Sequence, residues 1–221
     1  MKIYLILIGF FVLISCNGQD KTALETIKYN HKVPFTNNLE KDFSIVVPLK
    51  GIYKVKDITQ FKLFGFDLKN EKIKFSDEEA EYQNLLNIVV DNYTTNQYYG
   101  FELELYDENI SNKILELLKK KYGNPIKKYE YQKLPSKDFV YLWQNKATSE
   151  VIYYNLYNEG GHQLKGKEAI LSETKIVIIR DSLSAKPYTN DPRNTPEKIE
   201  NLLKENPKAF DLAEILKNQI P

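Results

Sequence analysis

The sequence predicts an α+β domain: an antiparallel or mixed β-sheet packed with helices at about 109–122 and 195–218. Three observations carry that expectation. In YYGFELELY, residues 98–106, Phe101, Leu103 and Leu105 alternate with Glu102, Glu104 and Tyr106, so one face of an extended segment is dry and the other wet. Directly downstream, Ile110, Ile114, Leu117, Leu118 and Tyr122 recur at helical spacing. In TKIVIIRDS, 174–182, Ile176 and Ile178 oppose Val177 and Ile179, so this strand is apolar on both sides and belongs at the centre of a sheet covered on each face.

The elements follow in chain order. Lys2 precedes an apolar run from Ile3 to Ile14, close to the length of a secretory h-region and well short of the roughly 20 residues a bilayer-spanning helix needs. Residues 16–42 are polar and without sustained periodicity, and are expected to form a tether. The domain proper is expected over 43–184. Its first half reads as short strands, SIVVPL, FKLFGFDL and KIKF, with Pro48 confining its strand to an edge or an end. Ser76, with Glu79 three residues on, has the spacing of a capping box and predicts a helix start. The helix at 109–122 is strongly terminated: Lys119, Lys120 and Lys121 sit at the negative end of its dipole, Gly123 offers a left-handed cap, and Pro125 forbids continuation. FVYLWQ (139–144) and EVIYYNL (150–156) are separated by a few residues and should pair as an antiparallel hairpin. The proline-rich loop 185–196 is the best candidate boundary, and Thr195-Pro196 and Asn206-Pro207 each place a capping side chain before a proline, announcing a C-terminal helical pair that packs on the domain.

The apolar run ends in Leu13-Ile14-Ser15-Cys16. These four residues resemble the lipobox of bacterial lipoproteins, with Ile14 bulkier than the residue usual at its position. The resemblance covers about the first 20 residues and implies cleavage after Ser15, a diacylglyceryl group on the Cys16 sulfur and acylation of the freed amine. Each buried CH₂ contributes about 0.8 kcal/mol, so two or three chains hold a protein firmly to one leaflet without spanning it. Asn17 is not the aspartate that resembles an inner-membrane retention signal. The implied address is therefore the outer membrane of a diderm envelope, on its periplasmic or its surface face.

Removing residues 1–15 removes one charge, Lys2, from a chain of 31 basic and 30 acidic residues, and the mature part is neutral. That balance lacks the basic footprint a phosphate backbone demands, so nucleic acid is not an expected partner. Cys16 is the single cysteine; once acylated it leaves neither a disulfide nor a thiol nucleophile. The chain has two histidines, His31 and His162, too few for a histidine-rich metal site, and no G-x-S-x-G elbow. No cofactor is expected. Residues 161–167, GHQLKGK, fit the first seven positions of a phosphate-binding loop, but Glu168 stands where a Mg²⁺-ligating hydroxyl belongs and no long helix follows. A hairpin loop is the expected structure there. Asp181-Ser182-Leu183 resembles an O-glycosylation acceptor.

Two residue sets remain as candidates. Glu102 and Glu104 lie on one strand face with Cβ atoms roughly 7 Å apart, close enough for a cation or acid/base pair, although such acids commonly mark a solvated face. Phe139, Tyr141 and Trp143 share a face of one strand and Tyr153 and Tyr157 a face of its neighbour. Stacking within a core is the favoured role; an open face would make Tyr141, Trp143, Tyr153 and Tyr157 a glycan or protein site. The expected function is a lipid-anchored envelope protein that binds another protein or envelope component without catalysis, toxin immunity being one form. The alternative is a glycan-directed hydrolase using paired carboxylates.

Overall fold

Alternation and turn chemistry in the chain give thirteen strands and three helices in the computed structural model, which describes residues 21–34, 36–42, 51–74, 81–133, 136–164, 167–180 and 195–221. In order these are β1 Thr22–Ala23, β2 Leu39–Asp42, β3 Gly51–Val55, β4 Phe61–Leu63, β5 Phe66–Asp67, β6 Lys72–Lys74, β7 Glu81–Gln83, β8 Leu85–Val90, β9 Tyr98–Leu105, α1 Glu108–Tyr122, β10 Lys127–Lys133, β11 Ser136–Asn145, β12 Glu150–Leu164, β13 Lys167–Arg180, α2 Pro196–Glu205 and α3 Leu212–Gln219. The fold is α+β and mostly β. Eight strands form one sheet in the order β10-β11-β12-β13-β9-β8-β3-β2, every neighbouring pair antiparallel. β13 sits near its centre, where a strand apolar on both sides belongs. β1, β4 and β5 make a small second sheet, and β6 pairs with β7.

The two faces of the large sheet are closed differently. On the first, Leu86, Ile88, Phe101, Leu103, Trp143, Ile152, Tyr154, Leu156 and Ile176 pack beneath Ile114, Leu115 and Leu118 of α1. The Asp107 carboxylate caps α1 by accepting from the Ile110 N–H at 3.0 Å, two residues upstream of the expected start, and Gly123 (φ 69°) closes it as expected. On the second face, α3 seats Ala213, Leu216 and Ile220 on Val140, Leu142, Val151, Val177 and Ile179. The ammonium of Lys127 donates to the carbonyls of Lys217 and Ile220, a cation at the negative end of α3.

Several expectations change. Residues 21–42 are part of the packed body: Leu24 and Val33 are buried, β1 pairs with β4, and β2 pairs with β3. Their apolar residues are spaced irregularly because the segment is a strap that touches several elements, which erases any period. Asn206-Pro207 opens a turn in which Asn206 Oδ1 accepts from the Lys208 N–H at 3.0 Å, and α3 starts later on the Asp211 cap. α2 is capped by Thr195 as expected but has no buried residue, so of the C-terminal pair α3 alone covers the sheet. The strand at 44–49, the capping box at Ser76, most of the boundary loop 185–196, Ser182 and the lipobox with Cys16 lie outside the described residues; β7 follows at Glu81.

Candidate functional site: a half-buried polar strip on the sheet

Period-two geometry that sends Phe101, Leu103 and Leu105 into the first face sends Glu102 and Glu104 to the second. The register then sets β13 beside them: Lys175 opposes Glu104 and Val177 opposes Glu102. Lys175 Nζ lies 2.7 Å from Glu102 Oε1 and 4.0 Å from Glu104 Oε1, so one ammonium serves both carboxylates. Burial raises the pKa of Glu104; Lys175 works against the shift, and Glu102 and Glu173 add to it. Burial alone would lower the pKa of Lys175, but Glu102 and Glu104 outweigh it and the net shift is upward. The acidic pair is therefore a half-buried ion triad and not a solvated face.

The strip continues across β12 and β11. Lys175 opposes Asn155, which opposes Val140, and the next row runs Glu173–Tyr157–Asp138. Asn155 Oδ1 and Asp138 Oδ1 are shielded from solvent and accept no hydrogen bond from the described residues, and burial raises the pKa of Asp138. Tyr153 is half-buried beside α3, and Tyr157 is 41% exposed. The strip thus holds two buried acceptors that no donor among the described residues satisfies.

Tyr141 and Trp143 are elsewhere. They stack on each other in the core of the first face, with centroids 5.6 Å apart. The indole Nε1 of Trp143 donates to the Gly123 carbonyl at 2.8 Å, and the Tyr141 hydroxyl donates to Glu130 Oε1 at 2.6 Å. Tyr141 opposes Tyr154, while Tyr153 opposes Leu142, so Tyr141 and Trp143 lie on one side of the sheet and Tyr153 and Tyr157 on the other. The four form no common surface. Four residues separate Asn145 from its partner Glu150, and that count sets the parity of the hairpin; a sequence reading that leaves the turn length open leaves the shared face open too.

His31 is exposed, and its carbonyl accepts from the Tyr98 N–H at 2.8 Å. His162 lies in β12 opposite Ala169, and Leu164 pairs with Lys167, so the described residues of this stretch are paired strand and not the helix a phosphate loop requires. Among the described residues no group of three or more His, Cys, Asp or Glu side chains could hold a metal ion, and no helix is long and apolar enough to cross a membrane.

Sequence reasoning missed a second cluster. The Glu150 carboxylate accepts from Tyr29 at 2.9 Å, from Tyr122 at 3.5 Å and from Thr148 at 2.6 Å, and Tyr29 stacks on Tyr98 at 5.7 Å. Burial, followed by the Glu150 charge, pushes the phenols of Tyr29, Tyr98 and Tyr122 upward, so they remain protonated donors. The partners are far apart in sequence, and no local pattern could have joined them. A cavity of about 280 Å³, lined by Val33, Leu39, Lys41, Tyr53, Tyr93 and Asn96, lies beside the same N-terminal strap.

No family model, curated protein or solved structure matches the chain.

Proposed function

We propose that this chain is a lipoprotein of a diderm envelope, held to the outer membrane through Cys16, whose domain binds another envelope protein or component without catalysis; neutralising a toxin is one form of that role. The supporting observation in the domain is the Glu102–Lys175–Glu104 triad. A single ammonium occupies the space between the two carboxylates, where a glycosidase would place a sugar and an attacking water. The acceptor-rich strip running on to Asp138 suits a partner that brings donors.

One observation favours the hydrolase reading: the upward shift of Glu104 is what an acid catalyst needs. The experiment that separates the two combines fatty-acid labelling with turnover. Wild-type protein is expected to take up labelled fatty acid and Cys16→Ser to take up none, and purified lipoprotein is expected to release no reducing ends from envelope glycan. Equal labelling would remove the anchor, and glycan cleavage lost in Glu104→Gln would replace the binding reading with the enzymatic one.

A further inference from the structure

We propose that the end of the sheet at which α1 finishes rests against the lipid headgroups, with Lys62, Phe64 and Lys121 facing them, and that the two-stranded β12–β13 arm points away from the membrane. The proposal rests on lipidation of Cys16. Its own basis is the length of the leash. Lys21 already belongs to the packed body, its Nζ 2.8 Å from Asp67 Oδ2, and Thr22 pairs with Phe61. From Cys16 to Lys21 a fully extended chain reaches at most about 18 Å. A domain of this size is roughly 40 Å across by the usual scaling of compact chains. The leash is therefore too short for the body to turn its far end to the membrane.

The contacts of the strap identify the near end. Tyr29 stacks on Tyr98 at the start of β9 and bonds Glu150 at the start of β12. Leu24 and Glu25 share a small cavity with Lys121 and Tyr122 at the end of α1. β12 and β13 leave the sheet in the opposite direction. β11 pairs with β12 only as far as Asn158, β9 meets β13 only from Thr174, and the ribbon continues to Leu164 and Lys167, roughly 20 Å further at the rise of a strand.

The chemistry of the near end fits a headgroup layer. Phe64 (φ 49°) and Gly65 (φ 85°) form the tip between β4 and β5, and Lys121 Nζ stands 5.3 Å from the centroid of the Phe64 ring. Lys62 is the register partner of Asp67, whose charge Lys21 neutralises; Glu25 and Glu150 line the adjoining cavity, the latter with its carboxylate turned to Tyr29 and Tyr122. Aromatic rings flanked by ammonium groups lie comfortably at the level of phosphates.

The mature lipoprotein has no free thiol, so introduced cysteines are unique. Full-length acylated Lys62→Cys and Lys167→Cys, each labelled with a fluorophore, are reconstituted in phosphatidylethanolamine–phosphatidylglycerol vesicles carrying a headgroup quencher. Quenching at 62 is expected to be at least threefold that at 167, and inserting twenty Gly/Ser residues between Asp20 and Lys21 is expected to bring it down to the level at 167. Equal quenching at the two sites, or quenching at 62 that survives the insertion unchanged, overturns the proposal. The mass of the N-terminal peptide reports acylation separately, so an unmodified Cys16 would count against the anchor and not against the orientation.

Discussion

The two faces of the eight-stranded sheet solve the same problem unequally. The first is sealed by a fifteen-residue helix over a continuous apolar layer that includes Trp143, Tyr154 and Phe101. The second is sealed at one end by the eight residues of α3 and carries carboxylates, an ammonium and an amide over the rest. Apolar packing is concentrated on the first face, and the half-buried charged side chains lie on the second. A difference of this kind supports the proposed binding role.

The largest effect should come where the sheet backbone itself cannot yield. Gly100 has φ 145°, and a Cβ there would stand 2.2 Å from the Ile178 carbonyl oxygen and 2.6 Å from Ile179 Cα. Gly100→Ala is expected to cost more than about 4 kcal/mol and to give little folded protein, as read by urea titration. Next, Trp143→Ala under α1 is expected to cost about 3–5 kcal/mol, against about 1 kcal/mol for Leu216→Ala on the α3 side. Equal losses in the same titration would erase the asymmetry between the faces.

Lys175→Met tests the polar strip. Glu104 has a folded pKa above its ordinary value, so its contribution to stability is fully present below that ordinary value and is lost as pH rises through the folded one. Removing the ammonium removes the one influence that restrains the shift. The variant is expected to lose about 1–2 kcal/mol at pH 7, a figure reduced for the solvent exposure of Lys175, and to approach wild-type stability near pH 4. Melting curves at the two pH values check this, and a loss independent of pH would assign Lys175 a packing role. The smallest effect belongs to α2. Thr195→Ala removes the 3.3 Å bond to the Lys198 N–H, and because α2 buries nothing the expectation is faster amide exchange within 196–205 at an unchanged melting temperature.

What could be read from the sequence was what local periodicity writes down. The β9 alternation, the lysine-rich end of α1, the two-sided apolarity of β13 and the Thr195 cap are each complete within a dozen residues. Glu102 and Glu104 were visible as a pair on one face, but the lysine that holds them is more than seventy positions away and enters only through strand register. The aromatic set failed for the same reason: face-sharing across a hairpin depends on the turn count, and Tyr153 and Tyr154 are adjacent alternatives with similar chemistry. The strap over 21–42 was illegible because a segment that touches many partners once each has no period to show.

The Tyr29–Glu150 contact also bears on the export proposed for this chain. Its partners are 121 positions apart, so the N-terminal strap cannot find its place until well over half the polypeptide is available to fold. Long loops of this kind close late and slowly. The strap is thus among the last segments to be tied to the finished body, an order that suits the acylation proposed at Cys16.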